Sequence, residues 1–399
     1  MTTRELRRKH ATDAARRGAI VLALLLSGGG VLAQSADPPK PGAENPSSPA
    51  QDTPKKDGAD NGAPVDPLDA RREQSAQNNA IKDEITPELT LSATRGLAWL
   101  AKQQNPDGSF GDGRFGRSVA ITALACLAFM GDGNLPGRGA YGDAVAKGLE
   151  YVLANCAESG LIAADAATGP MYGHGFATLF LGEVYGMTPG GGDTALANRL
   201  HAALLKACRL IETTQNTQGG WRYNPVPYDA DVSVTICQIM ALRSARNAGI
   251  EVPKETIDRA VEYVRRCQNP DGGFKYQLES GGSAWPRSAA GVATFYYAGI
   301  YRDQAIERGV NYLFKSATPG QEEENRAHYF YGHYYAVQAM YLTGGEAWAK
   351  WWPAIRKELL TAQNDNGSWS DPSVGDVYGT SMSLIILQMP KRYLPIFQK

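Results

Sequence analysis

One short phrase recurs along this chain: Gln104-Asn-Pro-Asp-Gly-Ser-Phe110, Gln218-Gly-Gly-Trp221, Gln268-Asn-Pro-Asp-Gly-Gly-Phe274 and Gln363-Asn-Asp-Asn-Gly-Ser-Trp369. A fixed-period repeat constrains the fold more than any other sequence feature, because each copy is one supersecondary unit stacked on the next. The phrase has a plain physical reading. Asn-Pro-Asp-Gly suits a type I turn, with Asn at the first corner, Pro with its preset φ and Gly closing. Gly and Pro stop the helix before the turn, and the aromatic after it can plug the seam between units. Gln104 and Gln268 are three spacings of about 50 residues apart, which predicts degenerate copies near Asn155-Cys156 and Lys315-Ser316. Six units then run from about Thr90 to the C-terminus.

Each unit holds two helical patterns. The one before the turn is amphipathic, as around Leu97, Trp99 and Leu100; the one after it is apolar on nearly every face, as from Val119 to Met130. An outer half-polar helix paired with an inner apolar one predicts an all-α protein: an α/α toroid of six helical hairpins, about twelve helices, around a central cavity. An open solenoid of the same hairpins would expose the apolar layer.

The Gln…Gly-x-Trp/Phe phrase resembles the repeat of squalene–hopene cyclases and protein prenyltransferase β subunits, a terpenoid cyclase and prenyltransferase toroid family to which complement-type thioester domains are also related. The resemblance covers residues from about Thr86 to Lys399. It implies the toroid. It does not by itself imply the chemistry, which belongs to sites rather than folds.

The rest of the chain reads differently. Residues 1–33 carry a basic start (Arg4, Arg7, Arg8, Lys9, Arg16, Arg17), a short apolar run from Ala19 to Leu26 and the small-residue stretch Val31-Leu-Ala33, the pattern of a secretion signal. Residues 34–85 are rich in Pro, Asp, Lys, Ala and Ser and read as a disordered linker. The expectation is an exported protein, periplasmic or extracellular, with a toroid over 86–399 and membrane attachment only if the signal stays uncleaved. The formal charge of −1 falls to about −5 once the basic signal is removed. With no basic stripe, nucleic acid is excluded as a partner. The odd count of five cysteines and the lack of a framework spacing predict buried free thiols.

A second pattern lies in the inner helices. Aligned on Thr122, Thr178, Thr235, Val292, Val337 and Thr380, they place Ser118, His174, Asp231, Ser288, His333 and Asp376 one turn earlier. The order Ser, His, Asp repeats, so the ring reads as a duplicated set of three. Ser and Asp are favoured helix caps, which accounts for those positions structurally but not for the two His. Arg117 and Arg287 precede the two Ser, and Tyr172, Tyr223, Trp285, Tyr331 and Tyr378 surround the ring as an aromatic rim. Such a cavity suits an apolar ligand, a glycan or a protein partner.

The family chemistries transfer incompletely. Class II cyclases carry Asp-x-Asp-Asp with a protonating middle Asp. Here Asp229-Ala-Asp231-Val232-Ser233 supplies Asp231 as acid, with His174 of the neighbouring unit as its partner, but Val232 replaces the third acid. Zinc prenyltransferases need a Cys where Ser233 stands and a His where Gly379 stands, and the thioester run Cys-Gly-Glu-Gln is absent. Neither a metal nor a cofactor is therefore expected. The expectation is a ligand- or partner-binding toroid, with a divergent cyclase- or transferase-like enzyme using Asp231 and His174, or a polysaccharide-acting toroid, as the alternatives.

Overall fold

The computed structural model describes residues 84–398, apart from 165–168, 189–193, 280, 321–326 and the side chain of Arg114. The expected secretion signal and nearly all of the expected linker lie outside the described residues. Twelve α-helices are present among these residues: α1 Pro87–Ala101, α2 Val119–Met130, α3 Gly142–Ala154, α4 Met171–Met187, α5 Thr194–Thr214, α6 Val232–Asn247, α7 Lys254–Arg266, α8 Trp285–Tyr297, α9 Gln304–Ser316, α10 Tyr329–Thr343, α11 Gly345–Ala362 and α12 Asp376–Gln388. None is long and apolar enough to cross a membrane.

Local signals set several helix starts. Thr86 caps α1 by accepting from Leu89 N, with Pro87 at the first helical position. Ser118, Asp231 and Asp303 cap α2, α6 and α9 in the same way. Even-numbered helices are buried nearly all round, whereas odd-numbered ones bury a single stripe, such as Ile257, Ala260, Val261 and Val264 of α7. The inner helices α2, α4, α6, α8, α10 and α12 pack in chain order, and α12 packs back on α2; outside them, α11 meets α1. The ring is closed.

The joint between units is the same almost everywhere. Gln104 Nε2 donates to Gly108 O at 3.0 Å and to Ala144 O of the next outer helix at 2.9 Å. Gln215 does so to Gly219 and Thr256, Gln268 to Gly272 and Ala305, and Gln363 to Gly367 and, across the ring closure, Ser92 of α1. The turn glycine has a positive φ, and a Cβ there would fall 2.2–2.7 Å from a carbonyl of the neighbouring outer helix: Lys147 O at Gly108, Lys206 O at Gly160, Arg259 O at Gly219, Arg308 O at Gly272 and Arg95 O at Gly367. Only glycine meets both demands. The basic residue itself often folds back over the turn, as when Arg95 Nη2 donates to Asn364 O and Asp365 O at 3.1 and 2.8 Å.

One expectation needs correction. The glutamine of the third unit is Gln215, four residues before its glycine like the others, not Gln218, which is near the surface and faces Glu279. The adjacent Gly-Gly had drawn the phrase three residues out of register. Side chains of non-adjacent inner helices also meet across the ring: Phe176 of α4 and Tyr334 of α10 pack edge to face at 6.1 Å, and Cys237 Sγ lies 3.3 Å from Tyr335 Oη. All five cysteines are free, and burial pushes the thiols of Cys208, Cys237 and Cys267 up to about 12.

These joints give a direct contrast. Gln363→Leu strands two buried carbonyls and is expected to cost about 1–3 kcal/mol in urea unfolding, whereas Gln218→Ala should stay within about 0.5 kcal/mol of the native protein. Gly272→Ala should cost at least ~1–2 kcal/mol from its positive φ alone.

Candidate functional site

The N-terminal ends of the inner helices form one mouth of the ring. There the first-turn residues Ala120, Gly173, Tyr331 and Tyr378 keep some exposure, while residues deeper along the axis are sealed. Asp231 stands at this mouth as the cap of α6, with 0 % of its surface exposed. Its Oδ1 accepts from Val234 N at 2.9 Å, and its Oδ2 accepts from Tyr276 Oη at 3.3 Å. Arg222 Nε lies 3.8 Å from the same oxygen. Arg222 also pairs with Asp229, and its guanidinium covers the rings of Tyr223 and Tyr276 at 5.1 and 5.8 Å. The hydroxyls of Tyr223 and Tyr276 are hydrogen-bonded to each other.

Burial pushes Asp231 up to about 7, against the opposing pull of the Val234 amide, Arg222 and Tyr276. A carboxyl in this state holds or releases a proton near neutral pH. Beside it, the Tyr172 hydroxyl is buried and has no hydrogen-bond partner among the described residues. Tyr172 packs on Tyr223 at 6.2 Å and lies within electrostatic reach of Asp231, Tyr331 and Cys237. Phe330 and Tyr378 meet edge to face at 6.4 Å, and Tyr331 donates to Ser233 O at 3.1 Å. The arrangement is a short aromatic throat with one protonatable group and one unsatisfied hydroxyl at its base.

The other ring residues have different tasks. His174 does not reach Asp231. Its Nδ1 accepts from Ile162 N at 3.2 Å, so Nε2 carries the proton and faces Ala207 O of α5 at 3.3 Å. Burial pushes it down to about 4 and keeps it neutral. This contact repeats in other units: the amide of the plug residue donates to an inner-helix side chain, as Phe110 N to Thr122, Trp221 N to Thr235, Phe274 N to Ser288 and Trp369 N to Thr380. His174 is thus the second unit's version of a structural clasp. It points outward to the turn rather than into the throat.

Ser288 accepts from Phe274 N and donates to Ala284 O, and Ser118 caps α2. His333 is buried among Tyr329, Trp285 and Trp351, with ring centroids at 4.5, 4.9 and 6.0 Å. Trp285 therefore belongs to the wall between α8 and α10, not to the rim. Asp376 opens α12, whose first amides, Asp376 N and Val377 N, donate to Asp112 Oδ2 at 2.8 and 3.3 Å. Arg117 is exposed and pairs with Asp107 at 3.5 Å, and Arg287 donates to Phe274 O and Gly282 O. Arg287 lies within electrostatic reach of Tyr276 and Asp231, whereas Arg117 stays at the surface. Tyr276 and Arg222 were missed from the sequence, since both lie in loops after the plug aromatics Phe274 and Trp221. Among the described residues, no group of three or more His, Cys, Asp or Glu is arranged to hold a metal ion.

Comparison with known proteins agrees with this architecture. Residues 195–321 match the model of the prenyltransferase alpha-alpha toroid domain family. No curated protein sequence matches the chain. A type II terpene cyclase from Scytonema aligns over 77% of this chain and 100% of its own, with 17% identity and a TM-score of 0.52. An alpha-1,6-mannanase of Salegentibacter aligns over 76% and 99%, with 7% identity and a TM-score of 0.57. A D-mannose isomerase aligns over 77% and 97%, with 12% identity and a TM-score of 0.54. At these identities the shared property is the fold, and both the family match and the cyclase neighbour are consistent with a prenyltransferase and terpenoid cyclase toroid.

The buried carboxyl has a measurable signature. Its value in the folded protein, about 7, lies above the ordinary 3.8, so its contribution to stability is complete below the ordinary value and lost as pH rises through about 7. The melting temperature is expected to fall between about pH 4 and 7 and to level off above that, and to fall less in Asp231→Asn, which keeps the cap acceptor and never ionises. An identical pH slope in both proteins would show that Asp231 is not the titrating group.

Proposed function

We propose that this chain is an exported binding protein that takes an apolar small molecule with one polar end into the N-terminal mouth of the toroid. The observation that carries the reading is the buried, unpartnered Tyr172 hydroxyl beside Asp231 at the base of an aromatic throat. Buried polar groups without partners are rare, and one at the foot of a mouth lined by Phe330, Tyr331 and Tyr378 is placed to meet the polar end of a ligand. The throat offers aromatic edges and few hydrogen-bonding groups, which favours a hydrocarbon chain over a glycan. Export rests on the basic and apolar pattern of residues 1–33.

A second reading has a specific observation behind it. Asp231 is a carboxyl pushed up to about 7 at the start of an inner helix, in a fold shared with a type II terpene cyclase, and it could act as a general acid on a bound alkene. Against it, Val232 stands where the family motif has its third acid, and His174 is committed to the Ile162 clasp. Binding without turnover is the stronger reading.

Isothermal titration with isoprenoid alcohols and fatty acids of increasing chain length, and with oligosaccharides as the contrast, tests the proposal. Tyr172→Phe is expected to weaken binding of the apolar ligand about 2- to 10-fold, the worth of one hydrogen bond. Asp231→Asn should keep most of the affinity. Loss of product formation in Asp231→Asn, with a turnover seen in the native protein, would instead establish the acid reading. Binding of oligosaccharides alone would overturn both.

A further inference from the structure

The opposite end of the ring, roughly 20 Å away along α6 from Asp231 at 1.5 Å per residue, is covered by the chain's own C-terminal residues. After α12 and the short turn Met389–Lys391, Arg392 adopts a left-handed φ of 56°. That conformation is sparsely populated by residues other than glycine. The start of this segment is tied down: Lys391 pairs with Asp132, and Arg392 Nη2 lies 4.0 Å from Glu84 Oε2. Tyr393 is exposed, and then Leu394, Ile396 and Phe397 are all buried, with Pro395–Phe397 packed against α4 and α6.

What lies beneath is polar. Glu183 of α4 is 1 % exposed, and its Oε2 accepts from Ile396 N at 3.0 Å. Its Oε1 is 2.7 Å from Ser244 Oγ, and that hydroxyl also donates to Leu179 O at 3.2 Å. A serine hydroxyl has one hydrogen. Both short contacts are satisfied at once when Glu183 carries a proton and donates it to Ser244, while Ser244 donates to Leu179. Once Glu183 ionises, the hydroxyl must choose between two acceptors, and a charge is left buried. No basic side chain forms an ion pair with Glu183 among the described residues. The facing titratable groups are the hydroxyls of Tyr297 on α8 and Tyr334 on α10, with Arg243 of α6 near Tyr297. α2 carries no charged residue, and Arg199, Lys206 and Arg209 of α5 pair with Glu150, Glu158 and Glu212 at the surface.

We propose that residues 392–398 form a pH-sensitive strap over the C-terminal mouth of the toroid, hinged at Arg392 and latched on Glu183, which closes when Glu183 is protonated and lifts when it ionises. The device is independent of whatever occupies the other mouth. Burial pushes Glu183 from an ordinary 4.5 up to about 7 with the strap in place, outweighing the Ser244 hydroxyl and the Ile396 amide, which both pull it down. Lifting the strap hydrates the carboxyl and returns it toward the ordinary value. The closed state therefore binds the proton more tightly, and it loses ground to the lifted state as pH rises between those two values, by up to about tenfold per pH unit.

Hydrogen–deuterium exchange of the full chain, corrected for intrinsic rates and followed from about pH 5.5 to 7.5, reads this directly. The Leu394, Ile396 and Phe397 amides are expected to gain at least about tenfold in exchange over that range while α4 and α6 do not change. Glu183→Gln should flatten the dependence, and Phe397→Ala should raise strap exchange at every pH while keeping the slope. A flat profile in the native protein, an equal slope in Glu183→Gln, or α4 and α6 amides rising in step with the strap would overturn the proposal. Should Glu183→Gln fail to fold, the native protein and Phe397→Ala still decide it through the slope of the strap amides against that of the helices.

Discussion

A glycine with no side chain, lying on the carbonyl of the next outer helix, is the contact on which this ring depends. The turn after each outer helix must approach that carbonyl closely enough for glutamine to bridge both, as Gln268 bridges Gly272 O and Ala305 O. Two such hydrogen bonds contribute roughly 1–3 kcal/mol per joint, a small amount beside the burial of the inner helices. Their importance lies in geometry. Each joint fixes the rotation from one hairpin to the next, and the same joint made by Gln363 and Arg95 between the last unit and the first closes the circle. A linear array with the same hairpins would leave the apolar flanks of its two end units without neighbours.

Much of this was legible in the sequence because the turn chemistry is strict. Asn-Pro-Asp-Gly appears twice with the flanking Gln and Phe intact, and the last copy departs from it only at the two residues between Asn364 and Gly367 and in its aromatic, Trp369. The weaker copies were legible only approximately. In the second unit Cys156 stands where glutamine should, so the turn survives through Gly160 while the bridge is lost. In the third, two consecutive glycines hid which one carries the positive φ, and Gln218 took the place of Gln215 in the reading. The basic residues at the carbonyls, Arg95, Lys147, Lys206, Arg259 and Arg308, went unread because their spacing has meaning only once two units are side by side.

The alternation of Ser, His and Asp around the ring follows how each unit holds its plug residue. One inner-helix side chain in each of five units must receive the amide of the plug residue. Where the anchor is Thr122, Thr235 or Thr380, it does so itself and the position one turn earlier is left to other work: Ser118 and Asp231 cap their helices and Asp376 opens α12. Where the anchor is Thr178 or Val292, the task passes back one turn to His174 or Ser288. Sequence alone could not separate these cases, since both place polar residues at the same register. Asp231 differs from the rest because Arg222, from the loop leading into α6, and Tyr276, from the loop of the next unit, hold its carboxyl. That convergence exists only once the third and fourth units stand side by side.

The two ends of the ring are thus chemically distinct. One keeps half-buried aromatics around a protonatable carboxyl, and the other is sealed by apolar residues over a second carboxyl. Native mass spectrometry of the protein purified from its own host, without added metal, tests the binding account most directly. The account predicts a reproducible added mass that fragments as an apolar small molecule and diminishes in Tyr172→Phe. A bare polypeptide mass, a glycan adduct or a metal-ion adduct would contradict it.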